Sequence, residues 1–523
     1  MAGEQPGHCA LVHPGSGEKW TFREYASLVA CAAEYLKGRG IRRGSRTLVM
    51  VRPGLELIVL VFALFQIGAV PVVIDPGMGV KNFRACVSRT RPRALVGIGA
   101  AIGFSFYFDR EFRSIAIRVG VGRGFLQRIL GMGSRELVPA EAAPEDLAAI
   151  LFTSGSTGAP KGVCYEHRHF DAQVKLVREV YGIEPGEVDM PLLPVFSLFN
   201  PGLGMTTVVP PVNPAKPAKA KPAGIVDALL AHSVTNSFGS PVLWRLIVRH
   251  CERQQVKLPD LKRVLMAGAS VPPELMEDLQ EVAPNAQIHS PYGATECLPV
   301  CNVTAGDVLG GLADRTRQGL GTCVGKVVPG MEVRVEVPEG DAGLLSFGEG
   351  FEVGEVQVSG PVVTERYDQL PESTAKAKVL DKEGQLWHRM GDLGYFDGEG
   401  RLWFCGRLAE RVVKEGGKVL LTDCCEAIFN QHARIFRSAL VGLGSPGSQV
   451  PAIIAEPEDG LFPKDGLERR LLAEELADLA KSSPLTEGIQ HFFFHKSFPV
   501  DVRHNAKVHR LTLAREFEGK VNL

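Results

Sequence analysis

Residues 223–282 constrain the fold most, because apolar runs of strand length alternate there with longer helical patterns at short spacing. The stretch reads as a helix to His232, a strand at 234–238, a helix at 241–253, a strand at 264–267 and a helix at 273–282. Such alternation needs crossover connections, and so implies a parallel sheet covered on both faces. Upstream, residues 55–74 are apolar enough to suggest a membrane span, but they include Glu56, Gln66, Gly68 and Pro71. They read instead as a buried helix at 57–66, a turn, and a strand at 70–74. After Gly325 the period falls to two, in VRVEV (333–337) and EVQVSG (355–360), with a turn at DGEG (397–400). These are antiparallel strands and hairpins. From about residue 410, a charged helix at 467–481 and the segment FFFHKSFPVDVRHNAKVHR predict a small separate α+β domain. The proline- and lysine-rich run at 210–224 reads as an extended, solvated linker.

Composition removes several functional classes. The 523 residues carry 58 basic and 59 acidic side chains, a net charge of -1, which leaves no surplus to hold nucleic acid by neutralising phosphates. With 45% hydrophobic and 22% charged residues, general disorder is excluded. The 58 glycines and 35 prolines are spread along the chain and suggest many loops, as in a large enzyme. Eleven cysteines, none in CxxC spacing, read as reduced thiols with structural roles. The N-terminus lacks the basic start and apolar core of a signal peptide, so a cytoplasmic location is expected.

The strongest local signal for chemistry is LFTSGSTGAPKGV at 151–163, where an apolar run enters a glycine, serine and threonine loop ending in a lysine. Backbone N–H groups, hydroxyls and one cation together suit a polyphosphate. It is not a Walker A loop, because Pro160 precedes Lys161 and Gly162 follows it. GIGAAIG at 97–103 misses the dinucleotide fingerprint by one residue and lacks the acidic residue that should follow.

The loop TSGSTGAPKG resembles the phosphate loop of the adenylate-forming superfamily of acyl-CoA synthetases, luciferases and adenylation domains. AGASVP (267–272), YGATE (292–296), MGDLGYFDGEGRLWFCGR (390–407) and NAKVHR (505–510) match in the same order. The resemblance implies an α/β fold. A large N-terminal domain (1–409), of two sheet-based subdomains plus a small β-barrel, would precede a small mobile α+β domain (410–523). It implies ATP and Mg²⁺ as cofactors, and activation of a carboxylate as its acyl-adenylate with release of pyrophosphate.

Carried over by position, the resemblance has Thr153, Ser154, Gly155, Ser156, Thr157, Gly158 and Lys161 wrap the phosphates, while Thr153 and Glu296 bind Mg²⁺. Thr295 would touch the α-phosphate, and Gly268, Ala269 and Tyr292 would line the adenine slot. Asp392 would accept the ribose hydroxyls with Arg407 nearby, and Lys507 would bridge the carboxylate and α-phosphate.

Two departures narrow the resemblance. Glu410 stands where the family usually has an Asp or Lys hinge, and Ser197 follows Phe196 where many acyl-CoA synthetases carry an aromatic-His pair. With the ending FPVDVRHNAK, they resemble the β-lactone synthetases of olefin biosynthesis. There the 3-hydroxyl of a fatty-acid-derived 2-alkyl-3-hydroxy acid displaces AMP, with His504 a candidate for the hydroxyl proton. An acyl-CoA ligase or an acyl-AMP ligase loading a carrier protein is the alternative. The branch implies other olefin-pathway enzymes as partners, a hydrolase-fold β-lactone decarboxylase and a short-chain reductase. Membrane contact is expected to be peripheral at most, through the apolar and basic segment 124–133, which also fits a buried helix.

Overall fold

The computed structural model describes residues 3–138, 141–153, 159–212, 220–337, 346–347, 351–500 and 507–520. The expected helix at 57–66 is Leu55–Ile67, and it is apolar all round because it is enclosed. One side meets the Phe22–Gly38 helix, whose Leu28, Ala32 and Leu36 share the same core. Gly68, at φ 73°, ends the helix in the left-handed conformation that favours glycine, and the chain turns directly into strand Val70–Ile74. That strand belongs to a six-stranded sheet in the order Ile117–Val121, Ala94–Ile98, Arg46–Met50, Val70–Ile74, Leu147–Thr153, Lys161–Glu166. All neighbours are parallel except the last pair.

The alternation after residue 223 builds the parallel centre of a second sheet, of fourteen strands among the described residues. Strands Gln287–Ala294, Arg263–Met266, Asn236–Gly239, Val188–Asp189, Thr206–Val208 and Cys9–His13 lie side by side in that order. Helices Pro241–Gln254 and Pro273–Val282 cover it, burying Leu243, Trp244, Ile247, Met276 and Leu279. Each such side chain contributes about 1.5–3 kcal/mol on leaving water. The Pro241–Gln254 helix begins where sequence puts it, with Ser240 accepting from Leu243 N at 3.4 Å and Pro241 in the first turn.

The antiparallel strands expected after Gly325 continue this sheet. Cys297–Thr304 folds back on Gln287–Ala294, and Thr322–Val327, Leu402–Arg407, Leu386–Phe396, Gly354–Ser359 and Glu332–Glu336 follow in turn. A separate three-stranded sheet, Ile435–Leu443, Val450–Pro457 and His491–Phe494, packs with helices Gly466–Lys481 and Arg510–Phe517. Its two hydrophobic clusters draw only on residues from Val412 onward.

Two expectations meet the structure differently. Within 124–133, helix Phe125–Leu130 buries Phe125, Leu126 and Ile129 against the Phe22–Gly38 helix, with the Phe125 ring edge-on to Tyr35 at 5.9 Å. A membrane-facing role for those three side chains is therefore overturned: their apolar face is already used in the core. The middle of the proline- and lysine-rich run lies outside the described residues. No helix among the described residues is long and apolar enough to cross a membrane.

Candidate active site

Strand Leu147–Thr153 leads into the glycine-rich loop and strand Lys161–Glu166 returns antiparallel, with Thr153 opposite Lys161. Ser154, Gly155, Ser156, Thr157, Gly158 and the Thr153 side chain lie outside the described residues. The return strand presses on Phe152 at Gly162, where a Cβ would come 2.7 Å from the ring's Cζ. Only glycine permits that approach.

The Lys161 ammonium stands 4.8 Å from the centroid of the Tyr367 ring, and the Tyr367 hydroxyl donates to Glu296 Oε1 at 2.8 Å. One tyrosine thus joins the lysine that ends the glycine-rich loop to the carboxylate of YGATE. The turn carrying Thr295 and Glu296 is held by its backbone. Thr364 donates to the Glu296 carbonyl from N at 2.9 Å and from Oγ1 at 3.1 Å, and the Tyr165 hydroxyl donates to the Thr295 carbonyl. Burial opposes the charge on Glu296, but neighbouring His388, the Tyr367 hydrogen bond and Lys378 hold the carboxyl below the usual glutamate range. Lys378 is itself buried, which lowers it to about 8. Burial lowers His388 beside them to about 3.

The other half of the site lies at the C-terminal ends of the parallel strands, where open α/β sheets leave a crevice for ligands. Leu265 pairs with His289, so Gly268 and Tyr292, each three residues further on, emerge at the same level. Gly268 has φ +97°, a backbone geometry for glycine, and Ala269 follows it with a small side chain. The Tyr292 hydroxyl donates to Asp392 Oδ2 at 2.6 Å. Arg407, opposite Asp392 across the strand pair, places Nη1 2.8 Å from Oδ1 and donates to the Met390 carbonyl at 3.0 Å. Both Asp392 oxygens are engaged, yet each retains acceptor capacity.

Lys507 is exposed and immediately precedes Val508, which packs with Leu513 and Phe517 in the C-terminal core. His504 and Asn505 lie outside the described residues. Glu410 is buried. It accepts from Arg510 Nη1 at 2.9 Å, while Arg510 also grips Glu426 through Nε at 2.7 Å and Nη2 at 2.6 Å.

Beside the YGATE hairpin an apolar pocket opens between the His167–Tyr181 helix and the sheet, lined by Val177, Tyr181, Phe196, Phe199, Leu203 and Phe238. Pro291 and Leu298, which bracket the hairpin, also face it. At its floor Asp189 accepts from Asn200 at 2.8 Å and Asn236 at 2.7 Å, and burial raises its carboxyl to about 6. A more open cleft lined by Phe62, Phe65, Leu137 and Val138 holds none of the site residues.

Sequence reading missed Tyr165, Gln173, Tyr367 and Lys378. None belongs to a recognisable motif, and Tyr367 reaches Glu296 across 71 residues of chain.

Lys161, Glu296 and the Asp392–Arg407 ion pair, gathered around the ends of the parallel strands, fit an adenylate-forming type of site. The chain belongs to the AMP-binding enzyme family, whose model matches residues 1–368. It is 43% identical over 517 residues to the olefin β-lactone synthetase of Stenotrophomonas maltophilia, covering 94% of this chain and 90% of that one. To the protein of the same name from Xanthomonas campestris it is 42% identical, covering 91% and 86%. A 4-chlorobenzoate–CoA ligase of Arthrobacter is 28% identical over 99% of this chain and 94% of its own. Among solved structures, MatB of Rhodopseudomonas palustris with ATP superposes with TM-score 0.79 at 18% identity, covering 98% of this chain and 96% of that one. The o-succinylbenzoate CoA synthetase of Bacillus subtilis with ATP and magnesium gives 0.77 at 19%, covering 98% of each. These likenesses show the fold.

Proposed function

We propose that this protein uses ATP to convert a 2-alkyl-3-hydroxy fatty acid to its acyl-adenylate, and then closes the 3-hydroxyl onto the acyl carbon to give a β-lactone. The observation that carries this reading is the 43% identity, over 94% of the chain, to a β-lactone synthetase. A CoA ligase reading is less favoured, because the ligase relative matches at 28%.

In the first step a carboxylate oxygen bonds to the α-phosphorus and the bond to pyrophosphate breaks. In the second the hydroxyl oxygen bonds to the acyl carbon, the acyl C–O bond to phosphate breaks, and the hydroxyl proton ends on the departing AMP or in water. Closure within one bound molecule can gain effective molarities of about 10⁵–10⁸ M, which helps offset ring strain.

The roles proposed for the residues follow from their chemistry. The loop 153–158 with Lys161 holds the β- and γ-phosphates, and Thr295 touches the α-phosphate. Gly268 and Ala269 admit the adenine, with Tyr292 against it. Asp392, steadied by Arg407, takes the ribose hydroxyls. Lys507 meets the charge that builds between carboxylate and α-phosphate.

Glu296 suits Mg²⁺, which is bound through one or two carboxylates plus substrate phosphates, because its carboxyl is held ionised and only Oε1 receives the Tyr367 hydrogen bond. Thr153 would join it. The metal would supply neutralisation of the pyrophosphate charge.

The boundary proposed is at 409/410, supported by the self-contained cores after Val412. The product needs an enzyme that removes carbon dioxide from a strained lactone, and the substrate a reductase that makes a 3-hydroxyl. Both are proposed partners, with a cytoplasmic setting. The test is product analysis with ATP and a synthetic 2-alkyl-3-hydroxy acid, with and without coenzyme A. A lactone that loses carbon dioxide on heating, at a rate indifferent to coenzyme A, is expected. An acyl-CoA thioester as the main product would overturn the reading.

A further inference from the structure

The Gln173 side chain is 3% exposed and forms one section of the wall of the apolar pocket, next to the YGATE hairpin. Its Nε2 donates to the Leu298 carbonyl at 3.1 Å. That carbonyl can only accept, so the amide's orientation is fixed and the other end is the acceptor Oε1. Oε1 is buried and has no hydrogen-bond partner among the described residues. The amide also stands beside the Tyr165 phenol, whose hydroxyl donates to the Thr295 carbonyl. Gln173 therefore lies where the pocket meets the turn of Thr295 and Glu296. Tyr181, whose hydroxyl is the other unpartnered side-chain polar atom on the pocket wall among the described residues, is eight residues along the same helix, about 12 Å along its axis.

An unpaired acceptor in an apolar wall is costly, and the cost is removed by a ligand that brings a donor. The substrate proposed above brings one. Its carboxylate and acyl carbonyl offer only acceptors and its alkyl arms offer neither, so the 3-hydroxyl is the one group that satisfies Oε1. We infer that Gln173 is a positioning residue that accepts the hydrogen bond of the substrate's 3-hydroxyl and so selects 3-hydroxy acids, an inference that rests on the β-lactone reading. The amide takes no proton. It holds the hydroxyl so that its oxygen lone pairs are free to face the acyl carbon, and the alkyl arm continues past Val177 towards Tyr181.

The experiment compares a 2-alkyl-3-hydroxy acid with its 3-deoxy counterpart in pyrophosphate release with pyrophosphatase present, where kcat/KM reads the steps up to adenylation. Wild type should prefer the hydroxy acid in kcat/KM. Gln173→Met, which keeps the volume but removes the acceptor, and Gln173→Asn, which withdraws it by one methylene, should each lower that preference about tenfold. Both acids are run on one preparation, so partial misfolding cancels in the ratio, and the asparagine variant serves if the methionine variant fails to fold. No preference in wild type, or an unchanged ratio in a folded variant, would overturn the role of Gln173. Lactone formation by wild type in the same samples separates this failure from failure of the functional reading.

Discussion

Glu296 and Lys378 show how two buried charges depend on each other. Glu296 is held ionised partly by Lys378, and Lys378 is lowered to about 8 by burial despite Glu296. Glu296→Gln keeps the shape and removes the charge, so the magnesium concentration for half-maximal pyrophosphate release should rise at least tenfold; an unchanged titration would move the metal elsewhere. Lys378 gives a pH signature. Its folded value lies below the ordinary 10.5, so between about 8 and 10.5 the unfolded chain binds more protons and stability rises with pH. Below that window the burial cost is on the order of 3 kcal/mol. Lys378→Met removes the titrating group. The unfolding free energy of wild type relative to this variant should therefore climb by up to about 3 kcal/mol from pH 7.5 to 10.5, measured by denaturant titration. A flat difference would mean that Lys378 is solvated.

At the scale of elements, the sheets demand glycine where backbones meet. At Gly325, φ +89°, a Cβ would lie 1.9 Å from the Asn302 carbonyl oxygen of the neighbouring strand, whereas at Gly330, φ +75°, it would meet nothing within 4 Å. Gly330→Ala should cost about 1 kcal/mol, the penalty of a left-handed alanine. Gly325→Ala must also push the paired strands apart, and should cost more than about 3 kcal/mol or leave the protein insoluble. Equal melting temperatures for the two variants would contradict the pairing of Cys297–Thr304 with Thr322–Val327. This pairing also marks what sequence could convey. Period two identifies strands at 333–337 and 355–360 because alternation is local, and Glu332–Glu336 and Gly354–Ser359 are where it puts them. That they continue the parallel sheet depends on Cys301 meeting Val327, a non-local contact no pattern encodes. The site divides in the same way. Lys161, Glu296, Asp392 and Arg407 sit in dense, chemically odd stretches. Tyr367 and Gln173 are ordinary residues in ordinary helices and loops, and gain meaning only from what folding puts beside them.

Over the whole molecule, the decisive contact is where the C-terminal sheet joins the rest. Thr322 donates to Asp423 at 2.5 Å, Gln431 donates to the Arg317 carbonyl at 2.8 Å, and Gly406 lies so close to Thr422 that a Cβ would come 2.2 Å from its hydroxyl. Just beyond Gly406 the chain passes Glu410, whose carboxylate is fixed from the other end of the sequence by Arg510. The guanidinium is shared by Glu410 and a bidentate Glu426, so removing it leaves two buried carboxylates with no cation between them. Loss of one partner from a buried pair typically costs about 3–5 kcal/mol, and Arg510→Ala should cost that much at pH 7. Burial already raises the Glu410 carboxyl, and without Arg510 it would rise further above its unfolded value. The folded variant then binds more protons than the unfolded chain, so the deficit should shrink as pH falls from 7 towards 5. Arg510→Lys keeps the charge but not the fork, and should fall between. Limited proteolysis provides the spatial check: cleavage between residues 407 and 421 should be faster in Arg510→Ala than in wild type at pH 7, and the difference should narrow at pH 5.5. A deficit that is independent of pH would show that Arg510 acts by packing alone, and that the Glu410 carboxylate is not what the arginine holds.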